Sequence, residues 1–192
     1  GQKYSQVKVF VYLGSNIDED GTITKELGRR VGHAWGKMRR YSKQVFDCRS
    51  RWLSLKIQLL KSEVLEVLLY GCTAWTLSAE HWTLLRKTHR LMLHRITGFR
   101  KSIYDNRRLR SYRGLLVETE CEPIETTIRK RRLLLLGTLV RQNDDRLPKQ
   151  MLFAEITQGD RVNRGRINSW WVNVKQDMEK FKISTASWFQ DA

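Results

Sequence analysis

The chain is short of carboxylates, of cysteines and of long apolar runs. It carries 20 Asp+Glu against 36 Lys+Arg, a formal net charge of +16 over 192 residues. No stretch of about 18 apolar residues occurs, so no helix of the bilayer-spanning kind is expected and no membrane partner. The cysteines, Cys48, Cys72 and Cys121, are odd in number and widely spaced, with no CxxC pair. That spacing excludes zinc ribbons and knuckles and fits reduced thiols inside a cell, in nucleus or cytoplasm. No glycine-rich phosphate loop, HExxH or GxSxG is present. What remains is a surplus of positive charge large enough to imply a polyanion, and nucleic acid is the commonest one.

The chain opens on a strand pattern. Val7, Val9, Val11 and Leu13 alternate with Lys8, Phe10 and Tyr12. Gly14 ends the run, and Asp20-Gly21 is a turn pair, so a hairpin is expected. An isolated hairpin is marginal in water and needs a sheet to join. Alone, it should be mobile or lay its Val7, Val9, Val11 and Leu13 face on the helices. From Thr24 onward the pattern is helical. Leu27, Val31, Ala34, Trp35 and Met38 form an imperfect apolar stripe. Ser54 can cap a second helix, whose run Val64–Tyr70 should be the most buried, with Gly71 as its stop. Ser78 can cap a third, in which Trp82, Leu85, His89, Met92 and Ile96 share one face and Gly98 follows. His89 then belongs to the core. A fourth helix is expected from about Pro123 to Arg141, a short one near Leu147–Ala154, and a last one near Asn168–Lys182. The fold class expected is mainly α: a short N-terminal β-hairpin (1–23), a thumb-like helical bundle (24–113) and a basic helical extension (114–192).

Charge concentrates in three places. Arg29, Arg30, Lys37, Arg39, Arg40 and Lys43 ride the first helix and its end, nearly without acidic compensation, and are candidates for phosphate contact. Arg129, Lys130, Arg131 and Arg132 are consecutive. At about 100° per residue, four neighbours sweep most of a helix circumference, so at least one must cross apolar surface or meet a phosphate. "RGRINSWW" sets Arg164 and Arg166 beside Trp170 and Trp171. These rings could stack on bases, though core packing of at least one is the stronger expectation. Asp144-Asp145 looks like a catalytic carboxylate pair but lacks a third carboxylate, and capping the next helix is the simpler role.

The segments "FVYLGSNIDEDGTITKELGRRVGHAWGKM", "LLKSEVLEVLLYGCTAWTL", "CEPIETTIRKRRLLLLGTLVR" and "RGRINSWWVNVKQDM" stand in an order that resembles the end of a LINE-type (non-LTR) retrotransposon reverse transcriptase, or its domesticated, craniofacial-development-protein-like copies. The resemblance implies that Phe10, Tyr12, Leu13 and Gly14 belong to a primer-grip hairpin. It places Arg29 and Arg30 on the thumb's first helix and Arg129–Arg132 on its basic helix. Ile167 stands where family members often have proline after RGR. The family's catalytic aspartates, and hence its Mg²⁺, belong to a palm this sequence does not contain; no cofactor and no catalysis are expected of this chain alone. The implied partners are RNA, DNA or an RNA–DNA hybrid, and the palm and fingers of the parent polymerase. A stand-alone basic helical adaptor for DNA or RNA, or a scaffold for an acidic partner protein, are the alternatives.

Overall fold

The computed structural model describes residues 7, 9–19, 21–98, 110–153 and 170–184. The chain is mainly α-helical, with a short antiparallel hairpin at its N-terminus. The hairpin pairs β1 (Val9–Tyr12) with β2 (Ser15–Asp18), in the register Val9 with Asp18 and Tyr12 with Ser15. Its turn is therefore Leu13-Gly14, not the expected Asp20-Gly21. Both turn residues have positive φ, 46° at Leu13 and 79° at Gly14. That pair of left-handed residues defines the two-residue turn whose twist matches a hairpin.

Helix α1 (Thr24–Arg40) follows, then a π-helical turn, Ser42–Phe46. Helix α2 (Leu53–Leu59) runs through a π-helical stretch, Leu60–Leu65, into α3 (Glu66–Leu68). Trp52, not Ser54, stands at the N-cap of α2, and no side chain caps it. Gly71 ends this stretch with φ +73°, as its composition suggests. A 3₁₀ turn, Cys72–Ala74, leads to α4 (Ala79–Ile96), α5 (Tyr112–Thr119), α6 (Ile124–Val140), α7 (Leu147–Phe153) and α8 (Trp170–Lys180). Ser78 caps α4 as expected. It accepts the His81 amide, and His81 Nδ1 accepts the Ser78 amide in return. Among the described residues no helix is long and apolar enough to cross a membrane.

The chain divides into two compact units. The first comprises 1–71 and 77–125; the second comprises 72–76 and 126–192. In the first, α1 packs on β2, on the π-helical stretch, on α3 and on α4, and α5 packs on α2 and α4. Its core holds Leu27, Ala34, Met38, Phe46, Leu60, Val64, Leu68, Leu85, Met92 and Leu115, all fully buried. Tyr70 departs from the expected buried run and is half exposed. His89 lies in the core as expected. Tyr112 Oη accepts the Ile124 amide at 3.1 Å and shares a hydrogen bond with His89 Nδ1, 2.8 Å away. Burial pushes the His89 pKa down to about 4. Burial likewise pushes Tyr112 up to about 12. The second unit has its own core, in which Leu136 and Val140 of α6 meet Val174 and Met178 of α8, covered by Leu133, Leu152, Trp170 and Trp171.

Candidate nucleic-acid interface

Helix α1 has two faces of different chemistry. Leu27, Ala34 and Met38 recur at helical spacing and are wholly buried. Opposite them stand Lys25, Gly28, Arg29, Gly32, Gly36, Arg39 and Arg40, none of them buried. The glycines follow one another at intervals of four, which aligns them on one side of the helix. A Cβ built at Gly28, Gly32 or Gly36 would meet nothing within 4 Å. Internal packing therefore does not require them, although each costs about 0.5–1 kcal/mol against alanine in a helix. The result is a bare strip of backbone flanked by cations and free of carboxylates. Nearby acids are already engaged: Asp18 pairs with Lys25 at 2.7 Å, and Glu63 pairs with Lys37 at 2.8 Å. The Lys37 ammonium holds the Glu63 carboxyl below its usual range. Arg39, Arg40 and Lys43 stay exposed. Sequence reasoning registered the charge of this face and missed its glycines, although their spacing was the available signal.

The hairpin tip sits beside this face. Leu13 and Gly14 present their carbonyls to the helices. Tyr70 Oη donates to Leu13 O at 2.8 Å. Arg29 Nη2 and Arg30 Nη2 both donate to Gly14 O. The Arg30 guanidinium lies 4.3 Å from the centre of the Tyr70 ring. Glu26 gathers the cluster: Oε1 accepts Arg30 Nε at 2.6 Å, while Oε2 accepts Arg29 Nη2 at 2.8 Å and the Asn16 amide at 2.9 Å. Burial raises the Glu26 pKa, but the Asn16 amide and the two guanidiniums outweigh it and hold the carboxyl below its usual range. These bonds secure a leucine in the left-handed region, which costs about 1–2 kcal/mol. The hairpin is thus held by polar groups and not by its apolar side chains. Val7, Phe10, Val11, Tyr12, Leu13 and Ile17 are all more than half exposed.

Of the basic residues expected to meet phosphate, Arg30 is buried and committed to Glu26 and Gly14. Arg132 is fully buried. It neither crosses apolar surface nor faces outward; Nη1 reaches Asp177 Oδ2 at 2.6 Å and Nη2 reaches Trp75 O at 3.0 Å. Arg129 approaches the other Asp177 oxygen at 3.2 Å. Lys130 is exposed, and Arg129 and Arg131 are partly so. Trp170 and Trp171 stack at 6.4 Å and pack on the core of the second unit, with Trp170 Nε1 donating to Thr73 O. Arg164 and Arg166 lie outside the described residues.

A comparison with curated proteins finds one with a transposon origin. An uncharacterized transposon-derived protein of Caenorhabditis elegans is 27% identical over 140 residues, which is 73% of this chain and 49% of that protein. The chain is similar to a transposon-derived protein. It spans about half the length of that relative. No protein-family model matches it, and no solved structure matches it.

The carboxylates that sequence reading singled out are poorly placed as metal ligands. Asp144 is almost fully exposed in the turn after α6, where it takes the Lys149 ammonium at 2.8 Å. Among the described residues no group of three or more His, Cys, Asp or Glu could hold a metal ion.

Proposed function

We propose that this chain is the nucleic-acid-gripping thumb and C-terminal part of a LINE-type reverse transcriptase, holding primer–template or element RNA by its phosphates. The α1 strip carries the reading. Lys25, Arg29, Arg39 and Arg40 border a track with no side chains, so a phosphate backbone can come close to the helix itself. Such contacts respond to helix shape and charge, and little base preference follows from them. The exposed apolar hairpin supports the second half of the reading. A two-stranded ribbon gains stability by joining a sheet, and the palm of the parent polymerase would supply one. The likeness to a transposon-derived protein agrees with both halves.

Gly32→Leu tests the strip. Leucine is the better helix former by about 0.8–1 kcal/mol, and its side chain would stand in open space. The variant should therefore unfold at the same or a higher temperature while binding a 20-bp duplex at least tenfold more weakly. In the unaltered chain, log K against log[salt] should fall with a slope of roughly −0.9 per phosphate contacted. A Gly32→Leu chain that binds as well as its parent, or a slope near zero, would refute the interface.

A further inference from the structure

A second feature of the first unit lies away from the α1 strip, in the loop between the π-helical turn and α2. Trp52 is 80% exposed, more than any other large hydrophobic residue described. Its backbone is extended, with φ −62° and ψ 140°, and it occupies the N-cap of α2. That position favours Ser, Thr, Asp or Asn, whose oxygen would accept a first-turn amide. The chain thus forgoes both a cap and the burial of its largest kind of side chain. Two local rules broken at one residue, with no compensating contact inside the fold, mark a place shaped for something outside it.

The surroundings say what that is. Arg49 and Arg51 precede the ring within three residues, both exposed, and neither forms an ion pair among the described residues. No Asp or Glu occurs from Cys48 to Ser62. The carboxylates that bound this stretch are neutralised internally. Asp47 accepts Arg95 at 3.0 and 2.9 Å, and Glu63 accepts Lys37 at 2.8 Å. An exposed indole next to two exposed arginines, on a stretch of chain without acid, matches a flat aromatic ligand that carries phosphate. A duplex keeps its bases stacked on one another, so the ring has a partner only where a base is unpaired.

We propose that Trp52, Arg49 and Arg51 form a stacking site for unpaired bases of single-stranded nucleic acid, with the arginines on the flanking phosphates. The site deepens the nucleic-acid-binding function proposed above and rests on it. It adds a single-strand subsite to a duplex grip. Because every base has a π-face, it should be tolerant of sequence.

The test uses the full chain and fluorescence anisotropy with two probes: a 12-nucleotide oligothymidylate and a 20-bp duplex. Trp52→Ala should weaken single-strand binding by about 5- to 150-fold, the range for loss of one base–aromatic stack. Duplex binding should change less than about twofold. Trp52→Phe, which keeps a ring, should retain most of the single-strand affinity. Replacing Arg49 and Arg51 together with alanine should flatten the single-strand salt slope by about 1.4, at ~0.7 per phosphate. Circular dichroism of all variants should match the parent. Unchanged single-strand binding by Trp52→Ala overturns the site, as does an equal loss on both probes or an unaltered chain that ignores the single strand. A chain that holds the single strand through Trp52 but binds no duplex would leave this site standing and remove the α1 interface instead.

Discussion

Glu26→Gln isolates the chemistry that fixes the hairpin. The substitution keeps the shape of the side chain and removes its charge. Glu26 accepts from Arg30 on one oxygen and from Arg29 and the Asn16 amide on the other. An amide has only one acceptor oxygen. Whichever way it turns, its NH₂ group must face a donor. Breaking a buried ion pair from one side costs about 3–5 kcal/mol. Arg30 would keep Gly14 O and the Tyr70 ring, so the lower end applies, near 3 kcal/mol. At an m-value of about 2 kcal/mol/M, the urea midpoint of the first unit should fall by roughly 1.5 M at pH 7. Hairpin amides should lose hydrogen-exchange protection before those of α4 do.

The acid limb supplies the control. The folded Glu26 carboxyl titrates below its ordinary value of 4.5. A depressed carboxylate contributes stability that is fully present above the unfolded pKa and is lost as pH falls through the folded one. The gap between the parent chain and E26Q should therefore be complete above about pH 4.5 and close progressively below it. A gap of unchanged size at pH 2.5 would mean that the variant fails by shape and not by charge. The electrostatic account of the hairpin would then be wrong.

Two further perturbations probe other buried groups. Arg132→Met should lower stability by about 3–5 kcal/mol, because it strands Asp177 in the second unit's interior, whereas the exposed Lys130→Ala should stay within about 0.5 kcal/mol; thermal unfolding distinguishes them, and equal effects would refute the structural role of Arg132. His89 titrates at about 4 in the folded chain against an ordinary 6.5, so the unfolded state takes up the proton first, and stability present above pH 6.5 should decline by about 3 kcal/mol on the way down to pH 4. His89→Gln, with an amide to keep the Tyr112 hydrogen bond, should remove most of that decline in urea titrations; a slope identical to the parent's would place its origin elsewhere.

Local signals were legible in the sequence, and long-range pairings were not. Ser78 marked the start of α4 because capping is a matter of three residues, although its return partner is His81 where glutamate or glutamine is usual. Pro123 marked the start of α6 to within one residue. The hairpin was legible from its alternation, but its turn was not. Leucine is a poor resident of the left-handed region, so propensity favours Asp20-Gly21, and only Tyr70, Arg29 and Arg30 closing on the Leu13-Gly14 carbonyls reverse the choice. The run Arg129–Arg132 could be seen to place one cation off the exposed face. That its partner would be Asp177, 45 residues on, lay beyond any local rule. Tyr70 misled in the same way, since its apolar neighbours hide that its hydroxyl is needed at the hairpin.

The distribution of carboxylates separates arginines that build the molecule from those that face outward. Glu26, Asp47, Glu125 and Asp177 each hold an arginine, and Glu63 and Asp18 each hold a lysine. A chain with 20 acids against 36 bases leaves a net surplus of positive charge on its surface. Such a surface destabilises itself by like-charge repulsion, and salt screens exposed charges effectively only beyond a Debye length of about 8 Å. In the proposed grip, every phosphate that reaches the α1 strip would remove part of that repulsion. The glycines fit the same logic. Bulk at Gly28, Gly32 and Gly36 would strengthen the helix, yet it would hold the phosphates away from the cations at the distances where screening is steepest. Weak helix residues and a surplus of cations on one face both cost stability, and in the proposed grip a bound polyanion would offset them.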